Sequence, residues 1–318
     1  MKPKISFALT TLNEEENVAS LLKSILNQST PVDEIIVVDA GSTDNTIEKI
    51  KKFKTGKTKL KIIVEKGATI GRGRNLYLQK CTGDYVFTAD ASTVFERNWV
   101  KKLLIGFEKG ADIVAGKYVP MKPENMVEAV AAARFPDFDS FSDEDWKKFL
   151  PSNRQIAYTK KAWKTAGPYP EKITRSDDTI FHTKAKKLGL KYYYAKNARV
   201  FWSARKNLSE YLQKAFQDSE SDALAGILFR RTIEKLQVIA FITLLATTIT
   251  GILANPLLFT IPLAILLLVF LRESLKILKK TSIILAAFGG IIGILLFLAH
   301  ATGSLSGIIK KTLENKNN

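Results

Sequence analysis

VVDAGSTDNT, residues 37–46, is the most informative segment of this chain. An apolar run ends on an acid, Asp39, and a Gly-Ser-Thr-Asp turn then opens a helix. This order places the Asp39 carboxylate at the carboxyl end of a strand, where open α/β sheets bind their ligands. A charge that ends an apolar strand is costly without a partner, so we expect Asp39 to serve a binding site. The stretch therefore predicts a nucleotide pocket.

Short apolar runs alternate with helical patterns around this stretch. The predicted strands cover residues 5–9, 34–39, 60–65 and 85–89, and helices lie near residues 14–28, 44–53 and 73–80. Alternation of this kind predicts an α/β fold with a mostly parallel sheet and crossover helices.

The C-terminal part of the chain is far more apolar. Residues 237–271 contain no charged side chain, and His300 is the one ionisable residue between 281 and 309. A helix of about 20 apolar residues crosses the roughly 30 Å hydrocarbon core of a membrane. Because Asn255 and Pro256 interrupt the first run, we expect three spans, at about 236–254, 256–271 and 282–300.

The net charge of +17 indicates an anionic partner. Basic residues beside the first two expected spans are Arg230, Arg231 and Lys235, then Arg272, Lys276, Lys279 and Lys280. Since a two-span hairpin returns to its starting side, both clusters can lie on the cytoplasmic face, which favours an anionic membrane over nucleic acid. The basic tail argues against three full crossings. A third span would place Lys310, Lys311 and Lys316 on the face of the membrane opposite the cytoplasm.

The N-terminal part is expected to stay in the cytoplasm. Its first apolar run, ISFALTTL at residues 5–12, is short and leads straight into a polar segment without a small-residue cleavage pattern, so we predict no signal peptide. A single cysteine, Cys81, excludes an intrachain disulfide, suits a reducing compartment and is best explained as a small buried apolar residue.

Five sequence blocks resemble glycosyltransferase family 2, the inverting enzymes of GT-A fold. They occur in the family's order and spacing as TLNEEEN (11–17), VVDAGSTDNT (37–46), GRGRN (71–75), TADAST (88–93) and SDDT (176–179). The resemblance covers roughly residues 4–205. It implies a catalytic domain at 1–205, which we expect to be followed by an amphipathic interfacial region at 206–235 and a transmembrane region at 236–318.

The resemblance also implies which residues contact the nucleotide sugar. The matching positions are Thr10, Leu12, Asn13 and Glu14 at the first strand, Asp39 for the nucleoside, and Arg74 and Asn75 at a helix start. From the residues alone, Glu14 equally suits the first turn of a helix. Arg74 equally suits a solvated helix end. GRGRN is a weak dinucleotide fingerprint, because Leu76 stands where the third glycine belongs.

TADAST aligns with the family's Asp-x-Asp motif, which bridges the donor diphosphate through a divalent metal. Asp90 matches the first acid, but Ser92 replaces the second, and Trp202 stands where many relatives have a histidine. Mg²⁺ needs only one or two carboxylates, so we expect Asp90, with Ser92, to hold Mg²⁺ or Mn²⁺. The same departures fit a catalytically impaired nucleotide-sugar-binding relative.

SDDT matches the family's acidic pair before a helix, whose second member is the general base. The resemblance assigns Asp178 as base and Asp177 as its neighbour. Two adjacent carboxylates raise one pKa, which helps a base near neutrality. Ser176 and the two acids also make a good helix N-terminus. The string QKAFQ from Gln213 lacks the Arg and Trp of the processive Gln-x-x-Arg-Trp motif, so single addition is expected.

Two segments keep alternative interpretations. Residues 134–153, acidic and aromatic, suit either a loop over the active site or a surface insertion with one short helix. Residues 208–234 have apolar residues at helical spacing and suit either a helix in the membrane interface or one packed on the catalytic domain.

Together these observations predict a membrane-anchored, non-processive, inverting glycosyltransferase. We expect it to move sugar from a UDP- or GDP-sugar to a polyprenyl phosphate or lipid-linked saccharide on the cytoplasmic face of the cell membrane. The alternatives are a non-catalytic binding protein, and a scaffold or flippase. The lack of charged residues within the expected spans speaks against a polar translocation path.

Overall fold

The computed structural model describes residues 3–173, 175–204, 207–227, 232–253 and 255–317. The chain forms two compact units. The first comprises Met1–Met121 and Pro136–Ser203, and the second comprises Lys122–Phe135 and Ala204–Asn318. The short segment Lys122–Phe135 thus groups with the C-terminal part of the chain, although it interrupts the sequence of the first unit.

Eight strands form one sheet in the described part of the first unit. They are β1 (Ile5–Thr11), β2 (Glu34–Asp39), β3 (Lys59–Val64), β4 (Tyr85–Asp90), β5 (Thr93–Phe95), β6 (Ile113–Pro120), β7 (Ile156–Thr159) and β8 (Tyr192–Trp202). Their order is β3-β2-β1-β4-β7-β6-β8-β5. The first four strands pair in parallel, and β7 is antiparallel to both β4 and β6. The predicted α/β fold and mostly parallel sheet are confirmed.

Parallel pairing brings the carboxyl ends of β1, β2 and β4 to one edge of the sheet. Thr11 lies opposite Asp39, and Thr10 lies opposite Asp90. The strands are apolar on both faces because helices cover both sides. Phe7 and Ala8, which point to opposite faces of β1, are both fully buried in separate apolar clusters.

Helices surround this sheet. Those of the first unit are α1 (Val18–Leu26), α2 (Thr46–Lys51), α3 (Ile70–Lys80), α4 (Trp99–Glu108), α6 (Asp143–Lys148), α7 (Lys160–Ala166) and α8 (Asp177–Lys187), and α5 (Met126–Ala133) belongs to the second unit. The three helices predicted near 14–28, 44–53 and 73–80 are confirmed with shifted ends. α3 begins earlier than predicted because the Thr69 side chain caps it by accepting a hydrogen bond from the Arg72 backbone N–H.

The acidic and aromatic segment contains one short helix, α6, after a 3₁₀ turn at Phe138–Ser140. A capping box joins Ser142 and Asp145 at the start of α6. Phe138 and Trp146 are buried, with their ring centroids 5.4 Å apart. This part of the segment therefore resembles the surface insertion of the second interpretation. A role as a loop over the active site stays a prediction.

The second unit is helical, with α5, α9 (Leu208–Leu224), α10 (Thr232–Leu253), α11 (Thr260–Leu278) and α12 (Ile283–Asn317). α9 packs closely on α12, where a Cβ on Gly303 would lie 2.2 Å from the Phe216 carbonyl oxygen. The helical pattern predicted across 208–234 is interrupted. α9 ends because Gly226 adopts φ 73° and the Ile227 N–H bonds back to the Asp222 carbonyl at 2.9 Å. The predicted basic residues Arg230 and Arg231 lie outside the described residues.

Three helices of the described chain are long and apolar enough to cross a membrane. They are Leu236–Leu253, Leu257–Leu278 and Ile283–Lys316. The expected number of apolar helices is confirmed, but the third helix continues well beyond residue 300. Its polar end binds α9, since Ser306 Oγ and Lys310 Nζ donate hydrogen bonds of 2.5 and 2.7 Å to Glu220 Oε1.

Candidate active site

The buried carboxylate of Asp39 organises the turn after β2. Its Oδ1 accepts hydrogen bonds from the backbone N–H groups of Gly41 and Ser42 at 2.9 and 2.7 Å. Its Oδ2 accepts from Thr11 Oγ1 at 2.9 Å and from Ser42 Oγ at 2.6 Å. The buried Asp39 carboxylate is thus stabilised by hydrogen bonds from the chain itself. A contact between Asp39 and a nucleoside stays a prediction.

Hydrogen bonds join the turn after β1 to the turn after β2. Asn13 has a left-handed backbone, φ 53°, and its side-chain oxygen accepts a hydrogen bond of 2.9 Å from the Thr43 N–H. The Glu14 N–H donates to Thr46 Oγ1 at 2.7 Å. Leu12, between Thr11 and Asn13, is 52% exposed at this edge. The structure therefore brings the first predicted block and the Asp39 turn together, and leaves Leu12 accessible to a ligand.

Two glycines let α3 pack closely, one against strand β1 and one against the segment before α8. A Cβ on Gly73 would lie 2.7 Å from Thr10 Cγ2, and one on Gly71 would lie 2.1 Å from the Pro170 carbonyl oxygen. The glycines of GRGRN therefore serve close packing. This packing places Arg74 at the carboxyl ends of the strands.

Arg74 joins two of the predicted acidic blocks. Its Nη1 lies 2.5 Å from Asp177 Oδ2, and its Nη2 lies 3.6 Å from Asp90 Oδ1. Arg74 is 6% exposed and is therefore not the solvated helix-end charge of the alternative interpretation. Burial alone would lower its pKa, but the carboxylates of Asp177 and Asp178 raise the pKa of Arg74 well above its usual value.

Asn75, the neighbour of Arg74, is buried and bonded within the protein. Its Nδ2 donates to the Tyr169 carbonyl at 2.9 Å and to Glu171 Oε1 at 2.8 Å. Its Oδ1 accepts from the Tyr169 N–H at 2.8 Å. Asn75 thus holds in place the segment that precedes the acidic pair. A contact between Asn75 and the nucleotide stays a prediction.

The two acids at the start of α8 have different surroundings. Asp177 is 3% exposed and paired with Arg74, and burial raises its pKa to about 6 against the lowering effect of that guanidinium. Asp178 is partly exposed, and its Oδ1 accepts a 2.7 Å hydrogen bond from the Thr179 N–H. Ser176 adopts φ 63° and its side chain does not cap the helix. A left-handed residue here is a strained backbone of the kind that clusters at active sites.

An arginine that the sequence analysis missed lies at the TADAST block. Arg154 Nε is 3.2 Å from Asp90 Oδ2. Its guanidinium carbon lies 3.7 Å from the centroid of the Trp202 ring, and Trp202 Nε1 donates a 3.0 Å hydrogen bond to Ser92 Oγ. No motif marks Arg154. The sequence gives one indirect signal for a basic residue here. Ser92 stands where the family has a second acid, so a positively charged side chain fits beside Asp90.

The residues around Asp90 do not fit a divalent cation in this arrangement. Mg²⁺ and Mn²⁺ prefer oxygen ligands that include one or two carboxylates. Both Asp90 oxygens face arginines, and Ser92 binds Trp202. The described residues contain no group of three His, Cys, Asp or Glu side chains arranged to hold a metal ion. The expected cation at Asp90 and Ser92 stays a prediction.

The model of the glycosyl transferase family 2 matches residues 6–164, which is half of the chain. The chain belongs to this family, and it is a glycosyltransferase. The predicted resemblance is confirmed.

Two curated relatives illustrate the range of similarity. Glycosyltransferase AglE of Haloferax volcanii is 24% identical over 250 residues, which cover 75% of this chain and 79% of AglE. Poly-beta-1,6-N-acetyl-D-glucosamine synthase of Staphylococcus epidermidis is 32% identical over 111 residues, which cover 35% of this chain and 27% of the synthase. The match thus spans about a quarter of the synthase's length.

A solved structure shares the fold along almost the whole chain. Mannosyltransferase PcManGT of Pyrobaculum calidifontis, solved in complex with GDP-Man and Mn²⁺, superposes with a TM-score of 0.60. The match covers 99% of this chain and 88% of PcManGT at 16% identity. At this identity the likeness shows a common GT-A fold.

Proposed function

We propose that the first unit transfers a sugar from a UDP- or GDP-sugar, with inversion and one sugar at a time, to a lipid acceptor at the cytoplasmic face of a membrane. One observation carries the proposal. Arg74, Asp90 and Asp177, from three separate sequence blocks, converge beside the carboxyl ends of β1 and β4. Ligands of open α/β sheets bind at such an edge.

Asp178 is the proposed general base. It is the acid of the pair that solvent reaches, whereas Asp177 is buried against Arg74. In the proposed reaction the acceptor hydroxyl or phosphate oxygen attacks the sugar, and Asp178 takes up a proton where the acceptor carries one. Asp177 holds Arg74 in place. The proposed nucleoside contacts are Thr10, Leu12, Asn13, Glu14 and Asp39.

A charged cluster in the second unit supports a lipid phosphate as acceptor. The buried Glu273 carboxylate binds both Arg134 and Arg272, so the cluster has one positive charge in excess. A cavity of about 150 Å³ beside it is lined by these three residues, by Gln237 and His300, and by apolar residues of α10, α11 and α12. Cations next to apolar helices suit an anionic headgroup with a hydrocarbon chain.

Membrane attachment of the proposed enzyme rests on the three apolar helices. Arg272 and Lys276 lie near the C-terminal end of the second of them, and Lys279 and Lys280 follow it. These basic residues favour a cytoplasmic position for that end. Because a two-span hairpin returns to its starting side, the chain that precedes the first span would then also lie on the cytoplasmic side.

A donor screen tests the proposed function. The full-length protein in detergent is incubated with radiolabelled UDP- and GDP-sugars and a polyprenyl phosphate, and the product is extracted into organic solvent. We expect label from one donor in the organic phase. Nucleotide binding without transfer or donor hydrolysis would favour the alternative, a catalytically impaired binding protein, which the replacements at Ser92 and Trp202 support.

A further inference from the structure

Trp202 contacts two residues that depart from the family pattern or were not expected at the site. Ser92 replaces an acid and binds the Trp202 indole, which itself stands where many relatives have a histidine, and Arg154 stacks on the Trp202 ring. The Trp202 indole N–H bonds to the Ser92 hydroxyl at 3.0 Å, so each replacement accommodates the other. An aspartate at position 92 could also accept the hydrogen bond from Trp202, but it would place a second negative charge beside Asp90.

The sheet explains why Arg154 reaches Asp90. β7 runs antiparallel to β4, with Phe87 opposite Ala157, so the start of β7 lies at the end of β4. A hydrogen bond of 2.5 Å from Thr88 Oγ1 to the Asn153 carbonyl fixes this junction. The next residue, Arg154, is thereby placed alongside Asp90.

Arg154 is held in a defined orientation. Its guanidinium carbon lies 3.7 Å from the Trp202 ring centroid and 5.3 Å from the Tyr118 ring centroid, and its side chain is 17% exposed. A guanidinium carries five N–H donors in a planar fork that matches phosphate oxygens. The hydrogen bond to Asp90 is donated by Nε. Stacking on aromatic rings restrains the fork before a ligand arrives, which lowers the entropy lost on binding.

We propose that Arg154, stacked on Trp202, binds the diphosphate of the sugar nucleotide and supplies the positive charge that a divalent cation supplies in relatives, an inference that rests on the proposed function. As the acceptor oxygen bonds to the anomeric carbon, the bond from that carbon to the diphosphate oxygen breaks. The electron pair leaves with the diphosphate, and any acceptor proton passes to Asp178. The charge that develops on the leaving oxygen is stabilised by Arg154, with buried Arg74 as the second cation of the site.

Nucleotide binding in chelator tests this role without knowledge of the sugar. UDP and GDP are titrated into the full-length protein in detergent with EDTA present. We expect measurable binding of one of them, weakened about tenfold or more in Arg154→Gln because a charge-assisted hydrogen bond is lost. Arg199→Gln is the matched control, since the Arg199 guanidinium also lies near an aromatic ring, Phe201 at 5.9 Å, but is 52% exposed outside the site. Equal affinity of Arg154→Gln and wild type would overturn the inference.

Transfer assays give a second, independent readout. The wild-type protein should keep its rate in EDTA, and Arg154→Gln should lose about 10² to 10³ in kcat. Adding Ser92→Asp to Arg154→Gln should make the remaining activity depend on Mn²⁺. If Arg154→Gln does not fold, Arg154→Lys retains the charge without the planar fork and should still bind nucleotide more weakly than wild type. A wild-type enzyme that stops in EDTA and recovers with Mn²⁺, while Arg154→Gln behaves identically, would contradict the role of Arg154.

Discussion

Arg74 Nη1 lies 2.5 Å from Asp177 Oδ2, and this buried ion pair joins residues that are 103 positions apart in the sequence. It connects α3 to the start of α8. The carboxylate that pairs with Arg74 is buried, and its neighbour Asp178 remains partly exposed. In the proposed function Asp177 therefore holds the guanidinium in place, and Asp178 acts as the base.

Removing one member of this pair should destabilise the first unit strongly. Asp177→Asn removes the carboxylate that lies nearest to the buried Arg74 charge, and loss of a buried ionic partner costs about 3–5 kcal/mol. Thermal unfolding of the full-length protein in detergent measures the effect. Glu48→Gln, which breaks the exposed pair with Lys51, should cost less than about 1 kcal/mol. Equal losses of stability in the two variants would show that the buried pair stabilises the protein no more than the exposed pair does.

His182 should make stability fall in mild acid. Its Nδ1 lies 2.8 Å from the Tyr192 hydroxyl, and burial lowers its pKa to about 3. The pKa in the unfolded chain is about 6.5, so this contribution to stability is complete above that pH and is lost as pH falls towards 3. Between about pH 7.5 and pH 5.5 the predicted loss is about 1.4 kcal/mol.

The variant His182→Phe isolates this contribution. Unfolding midpoints of wild type and variant are measured at several pH values in one detergent. The midpoint of the wild type should fall relative to that of the variant as the pH is lowered, because only the wild type has His182 to protonate on unfolding, whereas His300 is common to both. A difference that stays constant with pH would refute the assignment.

The charged cluster of the second unit should govern acceptor binding. Arg134→Gln removes one of the cations that bind Glu273, and we expect the KM for polyprenyl phosphate to rise about tenfold or more with loss of a charge-assisted contact. The KM for the nucleotide sugar should not change. Lys279→Gln, an exposed basic residue at the end of α11, is the control. A changed donor KM in Arg134→Gln, or an unchanged acceptor KM, would argue against a lipid phosphate at this cavity.

Local patterns predicted the first half of the sheet well. Each of β1, β2 and β4 is a mainly apolar run that ends at a polar turn, and parallel pairing alone then brings Thr10, Asp39 and Asp90 to one edge. The acidic pair was found from its motif. The role of the GRGRN glycines was not, because close packing against Thr10 and Pro170 depends on chain segments far away in sequence.

Other features depended on tertiary structure in the same way. Arg154 reaches Asp90 only because β7 pairs antiparallel with β4, and the local sequence does not predict that pairing. The end of α9 at Leu224 depends on the left-handed Gly226, which interrupts an apolar periodicity that continues past it. Periodicity reports which residues are apolar, but it does not report where a backbone turns.

Transfer by Asp178→Asn, measured beside nucleotide binding, tests whether Asp178 is the general base of this site. As the proposed general base, Asp178 should contribute about 10² to 10⁴ to kcat. The variant should bind UDP or GDP as tightly as wild type, because its Asp177 and Arg74 are unchanged, and it should lose transfer of sugar into the organic phase. A variant that transfers sugar at the wild-type rate would contradict the assignment of Asp178 and the account of this site.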